Sequence, residues 1–350
     1  MRFNPGLCAA SLVVASSLSL IGAARPAQTP NPNPAPAQAA ATTRTLPIWA
    51  YPVNPPRVRP AEGAPAIPRT PRVVDNTPIK VANSNAPAMP QAQISDLFVV
   101  PDWFPDAHPK MPAIVAEGRK PEIGACGHCH LPTGYGRPEN ESVAGLPAAY
   151  MLEQLNDFKN GLRHSSEPRM GSVALMVNYA KDLTPEEEKA AVDYFASIKP
   201  VKWIRVVETD TVPKTHPSGG MLVVDEGTEP IGERVIEVAE DYKQFELRNP
   251  TSGFIAYVPV GSLKAGEALV KTGGNGETMA CTMCHGSNLK GVGNIPSIAG
   301  RSPSQMTRQL IDFQTGARNG AMGQMMKMPV AKLTNADIVD ITGYLASLEP

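Results

Sequence analysis

The chain has 350 residues, of which 42% are hydrophobic, 5% aromatic and 19% charged, and its formal net charge is −1. This length allows two or three domains, and the apolar content is sufficient for real hydrophobic cores. A nearly neutral charge balance gives no electrostatic reason to expect nucleic acid or an anionic membrane surface as a partner. We therefore expect no nucleic-acid partner and at most a peripheral association with a membrane.

Residues 1–24 have the pattern of a secretory signal peptide. Arg2 precedes an apolar stretch, and the small residues Gly22 and Ala24 stand at the −3 and −1 positions of a cleavage site. An uncleaved membrane anchor is the alternative, but four serines make this stretch only weakly hydrophobic for a membrane span. We expect export to the periplasm with cleavage near Ala24.

Proline is concentrated in residues 25–109, with alanine, asparagine and glutamine between the prolines. Such a stretch cannot continue a helix or a central strand, so the sequence predicts a largely extended, Pro-rich arm. Apolar residues gather near its end, from Leu97 to Val100 and at Trp103. We expect this last part of the arm to pack on the body of the protein.

Two Cys-x-x-Cys-His motifs, 155 residues apart, are the most informative feature of the chain. The spacing puts two thiols on about one turn of helix, where they can form thioethers to the two vinyl groups of one haem, and the following histidine can bind the iron. Each motif therefore predicts one covalently bound haem c. The residues are Cys126, Cys129 and His130 in the first motif, and Cys281, Cys284 and His285 in the second.

Cys-x-x-Cys also occurs in zinc sites and in thioredoxin-like redox sites. A zinc site needs four ligands, and a thioredoxin-like motif requires neither a histidine directly after the second cysteine nor a second copy in a repeated frame. The context therefore favours haem. Four of the five cysteines are then used, and none remains for a disulfide.

A longer pattern recurs around the two motifs. Gln-Leu-x-x-Phe-x-x-Gly-x-Arg occupies residues 154–163 and again 309–318, at the same offset of 155, and Leu183-Thr184 recurs as Leu333-Thr334 at an offset of 150. This repetition predicts two copies of one domain. We assign the first copy to residues 110–200 and the second copy to residues 262–350.

Each copy is predicted to be helical. Thr184 and Glu187 form a capping-box pattern around a first-turn proline, and Thr334 with Asp337 opens an equivalent helix in the second copy. An apolar stripe follows each start. We interpret these stripes as core faces.

Residues 201–261 differ from both copies. They contain short runs typical of β-strands, separated by glycine, proline and acidic turns, and they carry a net charge of about −4. The sequence predicts a small β-rich acidic segment, which is either a folded linker between the copies or a surface for docking a partner.

The residue on the other side of each iron decides between an electron carrier and an enzyme. Methionine closes the iron and raises its reduction potential. Met176 and Met326 each stand seven residues before the Leu-Thr pair of their copy, so we predict them as iron ligands. Met170 is an alternative in the first copy, and methionine is often only a core filler. The alternatives in the second copy are Met322, Met325 and Met328.

Histidines outside the ligand positions do not recur between the copies. The geometry of the motif directs His128 away from its own haem, and the others are predicted to lie at the surface. They are His108, His164 and His216.

With these motifs present twice, each copy resembles a class I cytochrome c domain, and the pair is similar to the tandem dihaem periplasmic cytochromes c of the c-four group. The resemblance covers just over half of the chain. It implies that His130 and His285 are the proximal iron ligands and that Met176 and Met326 are the distal ones. It also implies that a proline carbonyl accepts a hydrogen bond from each proximal histidine.

Pro296 occupies that proline position in the second copy, whereas the first copy has Glu141. The β-rich segment and the Pro-rich arm also depart from the family, whose members join their domains by a short linker.

The sequence thus predicts a mainly α fold of two helical cytochrome c domains joined by a small β-rich segment. We expect an exported carrier of single electrons between periplasmic donor and acceptor proteins, with no side chain in an acid–base or nucleophilic role and hence no enzyme activity. One alternative is a cytochrome subunit that docks on a periplasmic dehydrogenase or respiratory complex. Another is a dihaem peroxidase, which would need one iron without its methionine.

Overall fold

The computed structural model describes residues 46–54 and 76–350. The predicted signal peptide, residues 1–24, and much of the Pro-rich arm lie outside the described residues. Within the described part, helices make up both copies and strands lie mainly between them. No helix of that part is both long enough and apolar enough to cross a bilayer.

The described parts of the arm fold against the rest of the chain. Trp103 is fully buried, and its indole Nε1 donates a hydrogen bond of 2.6 Å to the carbonyl oxygen of Leu247. Tyr51 is buried in the core of the second copy. The arm's elements are β1 (Pro78–Ile79), β2 (Met89–Pro90), α1 (Gln91–Ile94) and a 3-10 turn (Pro105–Ala107).

The first copy is built from helices. They are α2 (Ala113–Ala116), α3 (Cys126–His130), α4 (Ala148–Lys159), α5 (Gly171–Asp182) and α6 (Pro185–Ser197). Helix α6 begins with the predicted capping box: the Thr184 hydroxyl accepts from the Glu187 amide, and the Glu187 carboxylate accepts from the Thr184 amide. Its apolar stripe, which includes Tyr194 and Phe195, packs on Tyr150 of α4 to form the core.

Residues 201–261 form a small sheet, a hairpin and one short helix. Their elements are β3 (Ile204–Glu208), β4 (Thr211–Ser218), β5 (Met221–Pro230), β6 (Ile236–Ala239), α7 (Tyr242–Glu246) and β7 (Phe254–Val258). Strand β7 lies between β3, which is parallel to it, and β6, which is antiparallel. Strands β4 and β5 pair through a turn at Gly219 and Gly220, both of which have positive φ, as a two-residue hairpin turn requires.

The second copy repeats the helical arrangement. Its helices are α8 (Ser262–Thr272), α9 (Thr282–His285), α10 (Pro303–Thr315), α11 (Lys327–Val330) and α12 (Asn335–Ser347), with a 3-10 turn at Gly323–Met326. Helix α12 opens with the predicted capping box of Thr334 and Asp337. Helices α8 and α12 approach so closely that a Cβ atom at Gly266 would overlap the carbonyl oxygen of Asp340.

The two copies meet through the end of their repeated pattern. Arg163 and Arg318 form an isolated antiparallel bridge, flanked by hydrogen bonds from the His164 amide to the Ala317 carbonyl at 2.9 Å and from the Asn319 amide to the Leu162 carbonyl at 2.7 Å. These backbone bonds fix the position of one motif-bearing copy relative to the other.

Candidate functional site

The first motif lies beside a large cavity. Helix α3 carries Cys126, Cys129 and His130, and all three side chains line a cavity of about 670 Å³. This volume is within the range of pockets that take cofactor-sized ligands. Most of the remaining lining is apolar; it includes Leu146, Met151, Leu155, Phe158, Val192 and Phe195. A cavity with two thiols, one imidazole and apolar walls has the donors and the environment that a covalently bound haem requires.

The backbone sets the orientation of His130. Its Nδ1 donates a hydrogen bond of 2.8 Å to the carbonyl oxygen of Glu141, because a carbonyl can only accept. The proton is thereby held on Nδ1, and Nε2 is left as the nitrogen able to bind a metal. Burial lowers the pKa of His130 despite this hydrogen bond, so the ring is neutral, as a ligand must be.

The histidine of the second motif is oriented in the same way. Cys281 is the N-cap residue of α9, and His285, near the end of that helix, donates from Nδ1 to the carbonyl oxygen of Pro296 at 2.8 Å. Burial also lowers the pKa of His285. Pro296 therefore makes the contact that the resemblance implies, and Glu141 makes the same contact in the first copy. The exchange of proline for glutamate leaves the acceptor intact because every residue has a backbone carbonyl.

The first thiol of each motif has a raised pKa. Burial raises the pKa of Cys126 to about 12 and that of Cys281 to about 11. A thiol of this kind is a poor dithiol reductant at neutral pH, since the thiolate is the reactive species. Over residues 46–54 and 76–350, no three His, Cys, Asp or Glu side chains come together as a metal-ion site. The two motifs are thus not halves of one zinc site in this structure.

Two methionines reach the cavity of the first copy. Met176 lies within α5 and is partly buried, whereas Met170 is the N-cap residue of that helix and only 2% exposed. Both line the cavity. Met170 additionally packs in the core cluster of the second copy, which gives it a structural role that Met176 lacks.

One methionine of the second copy differs from its neighbours. Met326 is partly buried and packs against the core cluster. The other three candidates are exposed: Met322, Met325 and Met328. Burial therefore favours the residue that the repeat spacing singled out.

The surface prediction is wrong for His108. Its side chain is only 3% exposed, its Nε2 donates to Asp102 Oδ1 at 3.0 Å, and its Nδ1 donates to the Pro109 carbonyl at 2.9 Å. Acceptors at both nitrogens favour the charged ring, and the hydrogen bond to Asp102 is the main cause of a raised pKa. His164 and His216 are exposed, as predicted.

Sequence reasoning missed the polar network at the junction of the copies. Arg163 donates to Gln154 Oε1 at 3.0 Å and to Gln309 Oε1 at 3.1 Å. Arg318 donates to the same two oxygens, at 2.7 Å for Gln154 and 3.1 Å for Gln309. The signal was present, because these are the first and last residues of the repeated pattern, but repetition alone indicates a shared fold and not a contact between the copies.

The chain is similar to several known proteins. Residues 264–349 match the family model described as Cytochrome c. Cytochrome c4 of Azotobacter vinelandii is 26% identical over 250 residues, which are 69% of this chain and 91% of that protein. The thiosulfate dehydrogenase electron acceptor of Thiomonas intermedia is 25% identical over 65% of this chain and 80% of its own length. A solved structure of cytochrome c4 from Acidithiobacillus ferrooxidans is 24% identical and has a TM-score of 0.43 over 64% of this chain and 98% of that one.

These findings support an electron-transfer cytochrome. The chain is similar to cytochrome c4 over 69% of its length, and the match to the family model covers residues 264–349.

Proposed function

We propose that the protein is an exported dihaem cytochrome that carries single electrons between periplasmic redox proteins. The observation that carries this proposal is the identical placement of His130 and His285. Each follows a Cys-x-x-Cys pair and donates from Nδ1 to a backbone carbonyl at 2.8 Å. Two copies of this arrangement support two haems.

In this proposal each copy would hold one haem c through two thioethers, and a histidine and a methionine would bind the iron. The thioethers would come from Cys126 and Cys129 in the first copy and from Cys281 and Cys284 in the second. The iron would be bound by His130 and Met176 in the first copy, and by His285 and Met326 in the second. When bound, haem iron supplies a one-electron couple.

The side chains of this chain hold, orient and shield that group. The carbonyls of Glu141 and Pro296 fix the ring orientation of the two histidines, and this contact also raises their basicity as ligands. Apolar residues such as Phe158 and Phe195 line the cavity and limit the access of water. Methionine at the remaining position leaves no site for an external substrate, which favours a carrier over an enzyme.

The haem count is tested by mass spectrometry of the denatured mature chain. We expect two haem additions in the parent chain. The variants Cys126→Ala/Cys129→Ala and Cys281→Ala/Cys284→Ala should each keep one haem, and the chain with all four cysteines replaced should have none. A single addition in the parent chain, or retention of both haems in either double variant, would contradict the proposal. The same spectra locate the mature amino terminus, which we place near Arg25.

A second candidate is a cytochrome subunit that docks on a dehydrogenase. It is favoured by the similarity to a protein named as the electron acceptor of thiosulfate dehydrogenase. The acidic segment 201–261 offers a surface for such docking. Co-elution of the purified chain with a dehydrogenase at micromolar concentration would favour this role, whereas independent elution and free exchange with small carriers would favour the first.

A further inference from the structure

The two motifs differ sharply in exposure. His128 is the third residue of the first motif and is 1% exposed, whereas Met283 occupies the same position of the second motif and is 69% exposed. The fourth residue follows the same trend: Cys129 is partly buried and Cys284 is exposed. The two copies share one fold pattern, so the difference in exposure must come from the parts of the chain that pack against each motif.

The first motif is covered by parts of the chain outside its own copy. The arm approaches closely, since the Leu97 carbonyl accepts from the Ala125 amide at 2.8 Å and the Val99 carbonyl accepts from His128 Nδ1 at 3.0 Å. From the other side, Arg248 of the β-rich segment donates from Nη1 to the His128 carbonyl at 2.6 Å. The arm and the segment together close this face.

The second motif has no such cover among the described residues, and its surroundings are apolar. The Thr278 hydroxyl donates to the Pro329 carbonyl at 2.6 Å, which places the chain before the second motif beside α11. Large apolar side chains around this contact are exposed. We call them the methionine face: Met279, Met283, Met325 and Met328. Such flexible, polarisable side chains adapt to a partner surface, and a cluster of them on a soluble protein usually marks an interaction site.

The two segments that carry the methionine face are positively charged, although Glu277 directly precedes the first segment and Glu153 of the first copy accepts from the Met322 amide at 3.1 Å. Residues 278–292 and 319–333, which include this face, contain no aspartate or glutamate. Their charged residues are three exposed lysines: Lys290, Lys327 and Lys332. The chain as a whole has a net charge of −1, so this positive surrounding is local. A partner that fits it presents an apolar patch flanked by carboxylates.

We propose that the methionine face is the docking surface for an acidic electron-transfer protein, and that the covered first motif exchanges electrons only within the chain. This inference rests on the proposed function. In each encounter one electron crosses the interface, so that one protein is oxidised as the other is reduced. The arm and the β-rich segment thereby give two similar copies different roles.

The test uses an acidic blue-copper protein, with carboxylates around its copper site, as the redox probe in stopped-flow experiments. In the double variant Lys327→Glu/Lys332→Glu we expect the second-order rate constant at low ionic strength to fall about tenfold, and the loss to shrink as salt is added. Lys159→Glu/Lys181→Glu, at two exposed positions of the first copy, is the matched control and should change the rate by less than about twofold. The rate with uncharged hydroquinone should be the same for all variants.

Equal rates for the double variant and the control would overturn this proposal. So would self-association of the parent chain that the double variant abolishes in sedimentation experiments, because the face would then bind a second copy. Haem content and the optical spectrum are measured on the same samples. Absence of a haem from the parent protein would contradict the proposed function. Unchanged rates in a protein that contains both haems would contradict only the assignment of the docking surface.

Glu141 contacts both the first motif and the junction between the copies. Its carbonyl accepts from His130, and its carboxylate Oε2 accepts from Arg163 Nη2 at 2.9 Å. Arg163 also donates to Gln309 of the second copy. One residue therefore joins the histidine of the first motif to the junction between the copies. Pro296, at the same place in the second copy, has no carboxylate and cannot make this link.

We infer that Glu141 is a positioning residue that couples the potential of the first haem to the junction. In Glu141→Gln, loss of a partly buried negative charge should raise one of the two reduction potentials, that of the first haem, and leave the other unchanged. Arg163→Gln should shift the same potential downward, because an unbalanced carboxylate stabilises the oxidised iron. Glu122→Gln, an exposed residue of the same copy, is the control. Equal shifts of both potentials, or none in Glu141→Gln, would overturn the inference; if Arg163→Gln does not fold, Glu141→Gln alone decides.

Discussion

Arg163 and Arg318 lie opposite each other in the antiparallel bridge between the copies, and each donates to the glutamine of its own copy and to that of the other. Each guanidinium also lies over the phenylalanine of its own pattern, at 4.6 Å for Phe158 and 4.5 Å for Phe313. The repeated glutamine, phenylalanine and arginine thus form one symmetric junction. Two cations can lie side by side there because amide oxygens and Glu141 compensate their charge.

This junction should contribute strongly to stability. Arg318→Ala removes buried charged hydrogen bonds to Gln154, Gln309 and the hydroxyl of Tyr150, and we expect the free energy of unfolding to fall by about 2–4 kcal/mol. Denaturant unfolding followed by circular dichroism measures this loss. Arg205→Ala removes an exposed ion pair with Glu240 and should cost less than about 0.5 kcal/mol. Similar losses in both variants would show that the junction adds nothing beyond a surface pair.

The arm should be a structural part of the fold. Trp103→Ala leaves a cavity at a fully buried position and removes the hydrogen bond to Leu247, so we expect a loss of about 3–5 kcal/mol in the free energy of unfolding. Ile48→Ala, at an exposed position of the arm, should change it by less than about 0.5 kcal/mol. If Trp103→Ala is as stable as the parent chain, the arm does not pack as described.

Stability should depend on the charge of His108. Because its pKa is raised in the folded state, mainly by the hydrogen bond to Asp102, the protonated ring stabilises the fold below its unfolded pKa of about 6.5. That contribution is lost as the pH rises through the higher folded pKa. The variant His108→Gln should therefore lose more stability, relative to the parent chain, at pH of about 5.5 than at about 8.5. Thermal unfolding at both pH values measures the difference, and a deficit that is larger at the higher pH would contradict this account.

Methionine ligation is tested by paired substitutions. Met176→Ala should open one iron, so carbon monoxide should bind and the thioether-to-iron charge-transfer band should lose about half of its intensity. Met170→Ala should keep the full band but cost about 2–5 kcal/mol, because Met170 is a buried core residue. The reverse pattern would assign the ligand to Met170. In the second copy, Met326→Ala and Met325→Ala form the corresponding pair.

Local features of this fold were readable in the sequence. The motif helix α3 and the capping boxes at Thr184 and Thr334 depend only on residues within one or two helical turns. Their side chains therefore predict the local geometry directly. The contact between His285 and the carbonyl of Pro296 was implied by the family resemblance, and it is present in the structure.

Long-range contacts were not readable. Trp103 bonds to a carbonyl 144 residues away, and Tyr51 donates to Asp312 across 261 residues at 3.2 Å. No periodic pattern within a window of the sequence encodes such pairs. The contact of His108 with Tyr194, 86 residues away, is of the same kind, although its partners Asp102 and Pro109 are close to it in sequence. The pairing within the sheet is also long-range, since β3 and β7 lie at opposite ends of the β-rich segment.

We expect the chain to carry two haems, each with its iron bound by a histidine and a methionine. The most direct measurement is a redox-titrated optical spectrum of the purified protein with and without carbon monoxide. We expect low-spin spectra through two one-electron steps and no change when carbon monoxide is added. Binding of carbon monoxide by the reduced parent protein would show an open iron, contradict the carrier assignment and favour the peroxidase alternative.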